Sequence, residues 1–491
     1  MNFKKIFCLL CFVIIIAGVA GVSAHDLNDT AITSDDEVQT LEQVNETVAE
    51  STQDNVLSAD SGTFSELQKE IILARNGSTI TLDKDYVYDE GFSKLGIRIN
   101  KDLTIDGNGH TIDGANQARI FLIELGLVKN HKATLQNIKF TNAKSDLYGG
   151  AIFNYADLTV KDCTFTNNYA KYAGGAISSI GHLNCINSKF TSNVAGGDGG
   201  AIFCLSFKLH LDLVNLLNDT VMDGNFNYLE NFTSYLTLKF ANDTISKCVF
   251  TKNVANGRGG GAIYAFGNIV IKSSTFTSNK AGEKGGAVFG NKNLYISNSK
   301  FTSNKASMYG GAVYFKCHAT TGHYDENHKW VSEVEYYKNL IQSSTFTKNS
   351  ASKGGAIYGF KTSSSDKHGA KAVKCTFEAN KATNGRDLYG GTSTNSVFNY
   401  LKLTLKTVNV KKSAKKLVLT AKLTKGKSLI KGEVIKFKFN GKVYKAKTNK
   451  NGIAKVTIKK SIFKKLKYGK KVTYQVSYSN LTVKKTAKVK K

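Results

Sequence analysis

Lysine is the reactive group that this chain concentrates: residues 402–491 hold 29 Lys and no Arg against one acid, Glu433. An ammonium array without counter-charge can do one kind of chemistry, capture of an anionic polymer through its summed field rather than through a shaped pocket. Lys436, Lys438, Lys442, Lys445 and Lys447 alternate with apolar residues along VIKFKF and KVYKAK, the spacing that sets charge on the outward side of paired strands. These five are the candidate anionic-polymer site. Nucleic acid is not the expected partner, because no Arg follows Arg386 to read bases.

Catalysis on a polysaccharide needs carboxylates brought together, to bind a cation that acidifies a sugar proton or to act as acid and base across a glycosidic bond. Asp146, Asp198 and Glu283 fall at different offsets from the nearest repeat phenylalanine and make no column. Asp157 and His182 share one position, six after the alanine of a GGA triplet, but Asn268 and Asn293 hold it in other units, so it reads as a turn. Asp102, Asp106, His110 and Asp113 gather around DGNGH, where turn chemistry accounts for them. His318, His323 and His328, with Asp325 and Glu326, could hold a metal, yet a spacing of five is a weak ligand signature. No catalytic, cofactor-binding or metal residue is assigned, and the chain is read as a non-enzyme that needs no cofactor.

The framework that must position these groups is a repeat. Phe165, Phe190, Phe250, Phe276, Phe301, Phe346 and Phe377 each carry Asn at +3 and Ala at +5, and a degenerate unit starts at Phe140. The asparagines are Asn168, Asn193, Asn253, Asn279, Asn304, Asn349 and Asn380. GGA(I/V) segments begin at Gly149, Gly174, Gly199, Gly260, Gly285, Gly310 and Gly354. Uninterrupted units lie roughly 25 residues apart, a solenoid period. Between GGA and the next Phe run LTVKDCTF, IVIKSSTF and LYISNSKF, which alternate as half-buried strands do.

The fold class is therefore all-β: a right-handed parallel β-helix over 61–401, three short strands and three turns per coil, about ten coils and about 50 Å long. Phenylalanine should form an inward spine. The repeat Asn should sit in turns, bonding backbone and tolerating αL, and GG should supply positive-φ corners beside a packed Ala. FSELQKEIILAR, residues 64–75, reads as an amphipathic helix capping the first coil. Insertions interrupt the rhythm at about 204–247, 316–340 and 360–372; the second carries the single Trp, Trp330, and Tyr324, Tyr336 and Tyr337.

At the N-terminus, Lys4 and Lys5, the apolar run Ile6 to Val19, and Val22-Ser23-Ala24 read as a signal peptide over 1–24. Residues 25–60 hold ten acids and no Lys or Arg and read as an acidic disordered linker. Residues 402–491 form a small β-sandwich, with turns at Asn440-Gly441 and Asn451-Gly452. Cys163, Cys248 and Cys375 each lie two before a repeat Phe, where Ser188, Ser274, Ser299 and Ser344 stand in other coils, and read as packed free thiols. Cys185, Cys204 and Cys317 have no metal spacing. Sequons at Asn218, Asn231 and Asn242 are candidate glycosylation sites within the first insertion, with others at Asn28, Asn45, Asn76 and Asn480.

Residues 431–478, with their NGK hairpin, TNKNG turn and YQVSY strand, resemble the Ig-like domains of bacterial and archaeal surface proteins. The FxxN and GGAI repeats, the leader helix and this basic C-terminus together resemble the adhesin-like surface proteins of methanogenic archaea, whose solenoid is similar to the pectin-lyase-like fold. The repeats alone resemble those of bacterial polymorphic outer-membrane adhesins, from which the chain departs in showing no C-terminal transmembrane barrel. The resemblance implies attachment at a cell surface.

The sequence thus reads as a secreted, cell-surface or wall-associated monomer, without a transmembrane segment once the signal is removed. It is expected to bind an anionic cell-wall polymer or surface glycan on its own envelope or a neighbouring cell. The alternatives are a β-helix polysaccharide lyase or hydrolase, and a coat component without a specific ligand.

Overall fold

A computed structural model describes residues 61–124, 131–211, 236–240, 242–324, 330–360, 369–479 and 481–491. The signal segment 1–24, the acidic segment 25–60 and the sequons at Asn28, Asn45, Asn218, Asn231 and Asn480 lie outside them. Among the described residues no helix is long and apolar enough to cross a membrane.

From Gly62 to Phe398 the chain winds into a parallel β-helix. One coil, for example, runs Asp157–Lys161, Thr164–Thr166, Tyr169–Ala170 and Ile177–Ser179, and each piece pairs with its counterpart in the next coil. The result is four all-parallel stacks of 11, 12, 6 and 10 strands. Three strands per coil were expected. The fourth is the two-residue piece that carries the repeat Ala, too short to show as an alternation.

The interior is built of columns. Phe140, Phe165, Phe190, Phe250, Phe276, Phe301 and Phe346 stack with ring centroids 4.6–4.8 Å apart and nearly parallel planes, and the pile continues through Phe377 to Phe398. That separation is the inter-strand spacing itself, so the rings pack face to face without a gap. Beside them the repeat asparagines are buried. Asn253 is typical: its Nδ2 donates to Asn279 Oδ1 at 2.9 Å and to Phe190 O at 3.0 Å, while its Oδ1 accepts from the Asn193 amide and side chain at 3.0 Å.

The repeat Asn is not the αL residue. That conformation falls one position earlier, on Asn167, Ser192, Lys252, Ser278, Ser303, Lys348 and Ala379, all with φ between +54° and +57°. An outward-facing turn residue has no packing partner to choose its type, so any residue that tolerates the strain stands there. Asn at +3 is required instead by its inward amide, which supplies two donors and an acceptor to three successive coils.

The two glycines of GG divide the labour. The first, as at Gly285, has φ +62° to +68°. The second has an ordinary φ, but a Cβ on Gly286 would lie 2.2 Å from the Gly311 carbonyl oxygen of the next coil, and every second glycine from Gly150 to Gly311 is similarly placed. The corner expectation holds for the first; close approach of backbones explains the second.

Helix α1, Phe64–Leu73, caps the open end. Thr63 and Glu66 form a capping box at its start, and Phe64, Leu67 and Ile71 are buried. Gln68 pairs with the first exposed strand as another strand would: Arg98 N donates to its Oε1 at 2.7 Å and its Nε2 donates to Arg98 O at 3.2 Å. At the corner of the second coil, Arg119 donates to Gly149 O and Tyr148 O of the next coil, to Leu95 O of the preceding one and to the Ser145 hydroxyl, tying the first coils together where no GG pair stands.

Two insertions leave the solenoid as antiparallel hairpins, Phe207–Leu211 with Leu236–Phe240 and His318–Tyr324 with Trp330–Tyr336. The third lies mostly outside the described residues. Beyond the solenoid, Leu401–Leu405, Leu417–Lys425, Ser428–Leu429 and Ile453–Ile458 form one sheet, and Val410–Lys411, Val434–Phe439, Lys442–Lys447, Lys471–Tyr478 and Leu481–Lys490 form a second. Leu419, Ala421, Val456, Phe437, Tyr474 and Val476 share one core between them. The two-residue turn at Asn440-Gly441, with φ +45° and +78°, closes the expected hairpin. Leu481–Lys490 is a strand that the alternation hid, because Lys484-Lys485 breaks the apolar pattern.

Phe301→Ala should lower stability by about 3–5 kcal/mol. Gly286→Ala should be at least as damaging, whereas Gly109→Ala, a positive-φ position with open space around it, should cost only about 1 kcal/mol. Chemical or thermal melts rank the three; Gly286→Ala melting above Gly109→Ala would refute the close-approach account.

Candidate functional site

Cross-strand register decides which lysines share a face. Lys436 lies opposite Lys445 and Val434 opposite Lys447, while Lys436 and Lys438 stand beside Ser477 and Gln475 of the next strand. Ile435, Phe437 and Phe439 point the other way and are fully buried. Four of the five candidates, Lys436, Lys438, Lys445 and Lys447, are therefore exposed on the outer face of this sheet. Lys442 is not with them: it pairs with buried Phe439 and so belongs to the opposite parity, at the hairpin tip. A two-residue turn keeps register, and Lys442 and Lys445 are three apart on one strand, so they cannot share a face.

The same face gains lysines that the alternation did not single out. Lys471 lies opposite Lys488, and Lys484 stands beside Gln475. Two Lys–Lys pairs thus sit directly across strands, an arrangement that destabilises a sheet without counter-charge. Glu433, the domain's lone acid, accepts the Tyr478 hydroxyl at 2.7 Å. Among the described residues, the ion pair of this domain is Lys425 with Glu378 of the solenoid, at 2.7 Å. The first sheet is less extreme, since its outward Lys422 and Lys455 each face Thr.

On the solenoid, Asp106 accepts from the Asn108 amide and from Asn137 and Gln136, and these hydrogen bonds hold its carboxyl below the usual range. Asp113 accepts from Ala115 N and Asn142; burial nevertheless raises its pKa. Asp102 accepts from Lys132 N, and His110 faces Asp85 at 3.1 Å. The DGNGH group is thus engaged in turns. Asp157 and His182 stand in one column on successive coils, and that column continues through Asn242, Asn268 and Asn293, the last two joined at 2.8 Å, to Lys338, whose amide donates to Asn293. Burial raises the pKa of Asp198, Gly259 N and Arg258 oppose the rise, and the charge of Glu283 adds to it despite the different offsets.

His318 and His323 occupy one strand at positions of opposite parity, and His328, Asp325 and Glu326 lie outside the described residues. Among the described residues no three His, Cys, Asp or Glu come close enough to hold a metal. Asn242 is exposed at the start of its strand, while Asn76 accepts from Asp102 N. The six described cysteines are buried, which places Cys163, Cys248 and Cys375 inside the wall as expected. Their column does more than fill space, because the serines that alternate with them bond between coils: Ser274 N donates to Ser299 Oγ at 3.1 Å.

Two features escaped sequence reasoning. The residue after GGA(I/V) points outward, and Phe203, Tyr264, Phe289, Tyr314 and Tyr358 form a second, external aromatic stack with centroids 4.4–5.5 Å apart. The signal was present in GGAIFC, GGAIYA, GGAVFG and GGAVYF. These rings cover one another's faces and are 3–9% exposed, so they stiffen the wall rather than offer a stacking platform.

The second is Asp243. In uninterrupted coils the amide at this level bonds a carbonyl of the next coil, as Leu158 N does with His182 O. Where an insertion re-enters, a side chain takes over: Leu183 N donates to Asp243 Oδ1 at 2.8 Å after the first hairpin, and Leu294 N to Asn339 Oδ1 at 3.0 Å after the second. Asp243 occupies a column that reads Leu158 and Leu183 before it and Ile269 and Leu294 after it. Burial pushes its carboxyl up to about 6, against the lowering effects of the Ser206 hydroxyl and Leu183 N.

Residues 162–180, 187–205, 247–265, 273–291 and 343–359 match the family model of the Chlamydia polymorphic membrane protein repeat. Each match spans a Phe, the Asn ladder and the GG corner of one coil. The chain therefore carries outer-membrane adhesin-like repeats on a parallel β-helix. No curated protein and no solved structure matches it at a significant level.

Because Asp243 has a raised folded pKa, its favourable contribution is complete below its unfolded value near 4 and is lost as pH rises through about 6. Asp243→Asn, which installs the residue found at Asn339, should raise stability at pH 8 by on the order of 2 kcal/mol and change it little at pH 4. Melts of both proteins across pH 4–8 check this; parallel curves would refute it.

Proposed function

We propose that this chain is an adhesin-like cell-surface protein whose solenoid spaces and displays its hairpins, and whose C-terminal lysine sheet adsorbs to an anionic wall polymer or surface glycan. The role is binding, without catalysis and without a cofactor, by a secreted monomer held at a surface. The repeats support the surface adhesin-like part of this reading. The observation that carries the rest is the uncompensated face: Lys436 opposite Lys445 and Lys471 opposite Lys488, with no acid among the residues paired around them. Such pairs repel, and an anionic chain laid across the strands would turn that cost into affinity.

Lysine rather than arginine fits a polymer recognised by charge density, since an ammonium is a point charge without a bidentate fork. Binding should then respond to salt as a screened field does. Full-length protein should co-sediment with purified cell wall at about 50 mM salt and be mostly released by about 500 mM, where the screening length falls to several ångströms. Replacing Lys436, Lys438, Lys445 and Lys447 together by Gln should cost at least tenfold in affinity with a melting temperature equal to or above the parent's, while Lys442→Gln alone should stay within about twofold in affinity. Retention that ignores salt, or an undiminished quadruple variant, would move the binding surface to the solenoid.

A further inference from the structure

The two coils on either side of the first insertion meet at a pair of thiols. Cys185 Sγ lies 3.6 Å from Cys248 Sγ, and neither side chain is exposed. We propose that Cys185 and Cys248 are a cross-linking site, joined as a disulfide in the oxidised protein so that the coils flanking the hairpin 207–240 are stapled together.

Two columns depart from their pattern at this join. Cys185 stands in an inward column that reads Leu135, Val160, Ile245, Ile271 and Ile296 in neighbouring coils. Cys248 stands in the small-residue column, whose members lie against the preceding coil at that level. Cys163 Sγ faces Leu135 O at 3.4 Å, Cys375 Sγ faces Ile341 O at 3.5 Å, and Cys248 Sγ faces Cys185 O at 3.5 Å. A cysteine in the small column therefore meets an aliphatic residue in two cases and a thiol in the third. That third case is the join where 63 positions of chain separate residues in contact.

Position supplies the use. The amide pairing of these coils is interrupted at the re-entry, where Asp243 bridges by its side chain, so this join has fewer backbone ties than an uninterrupted one. Cross-linking there closes the long loop and removes its freedom from the unfolded chain, and the gain grows with loop length. The chemistry balances with an external disulfide as oxidant. One thiolate attacks that disulfide and releases a thiol; the second attacks the mixed disulfide and releases the other. Two protons are lost from the protein and two electrons pass to the oxidant. Since both sulfurs are buried in the closed solenoid, the exchange takes place before these coils seal or during their opening.

The full-length chain, reduced and unfolded, would be refolded in mixed reduced and oxidised glutathione, quenched, blocked with N-ethylmaleimide under denaturing conditions and digested with trypsin without reduction. The expected product is peptide Tyr172–Lys189 joined to Cys248–Lys252, with Cys163, Cys204, Cys317 and Cys375 carrying the blocking group. Cys185→Val and Cys248→Ser, residues native to the same columns, should fold, lose the linked species, and melt several degrees below the oxidised parent while matching it in reductant. Full alkylation of both Cys185 and Cys248 in the refolded parent, or a link from either of them to Cys163 instead, would overturn the proposal. So would oxidised parent and variants that melt together.

Discussion

A coil of roughly 25 residues has almost no interior of its own, so each buried amide and carbonyl must find its partner on the coil above or below. The asparagine ladder is where that constraint is strictest. Each Asn spends both amide protons and its oxygen on neighbouring coils, as Asn279 does toward Phe250, Asn304 and Asn253. A hydroxyl has one proton and a carboxylate none, so neither could hold three coils at once. The phenylalanine stack, the small-residue column and the paired glycines all take their spacing from this ladder, because identical groups repeat at the strand separation only if every coil keeps the same register. Where the ladder ends, Asn380 donates to Asp387, whose carboxylate only accepts and so needs no acceptor on a further coil.

Such a structure is tolerant along its length and intolerant across it. Each coil touches only its neighbours, so a hairpin can be spliced in wherever the chain leaves and rejoins the same level. The cost is local: one amide on the coil before the splice loses its carbonyl partner on the coil after it. Asp243 and Asn339 meet that cost in the same way, and the difference between them is charge. A carboxylate in a column of Leu and Ile bears a desolvation penalty that an amide does not.

The C-terminal sandwich follows other rules. Its core is a conventional contact of two sheets, but its outer surface sets ammonium groups opposite one another and leaves its one acid to a tyrosine hydroxyl. Selection for stability alone would distribute acids through such a face. The solenoid, which mixes 36 basic with 27 acidic residues over 61–401, and the cationic sheet are thus physically distinct parts of one chain: one holds distance and shape, the other field.

The β-helix, its Phe spine, its capping helix, the burial of the cysteines and the strand pattern of the basic domain were legible in sequence, because one-dimensional periodicity translates directly into columns when every coil repeats. What periodicity could not supply was direction and neighbourhood. It put the αL strain on the repeat Asn, when an outward residue one position earlier bears it. It treated both glycines of GG alike, although only contact with the next coil's carbonyl explains the second. It grouped Lys442 with four lysines from which hairpin register separates it, and it passed over Lys471, Lys484 and Lys488, which pairing brings to the same face. It passed over Asp243, whose burial depends on which coil the chain rejoins after an insertion. Sequence spacing fixes what repeats within a coil; which groups meet between coils and across strands is decided by register, and register exists only in the folded chain.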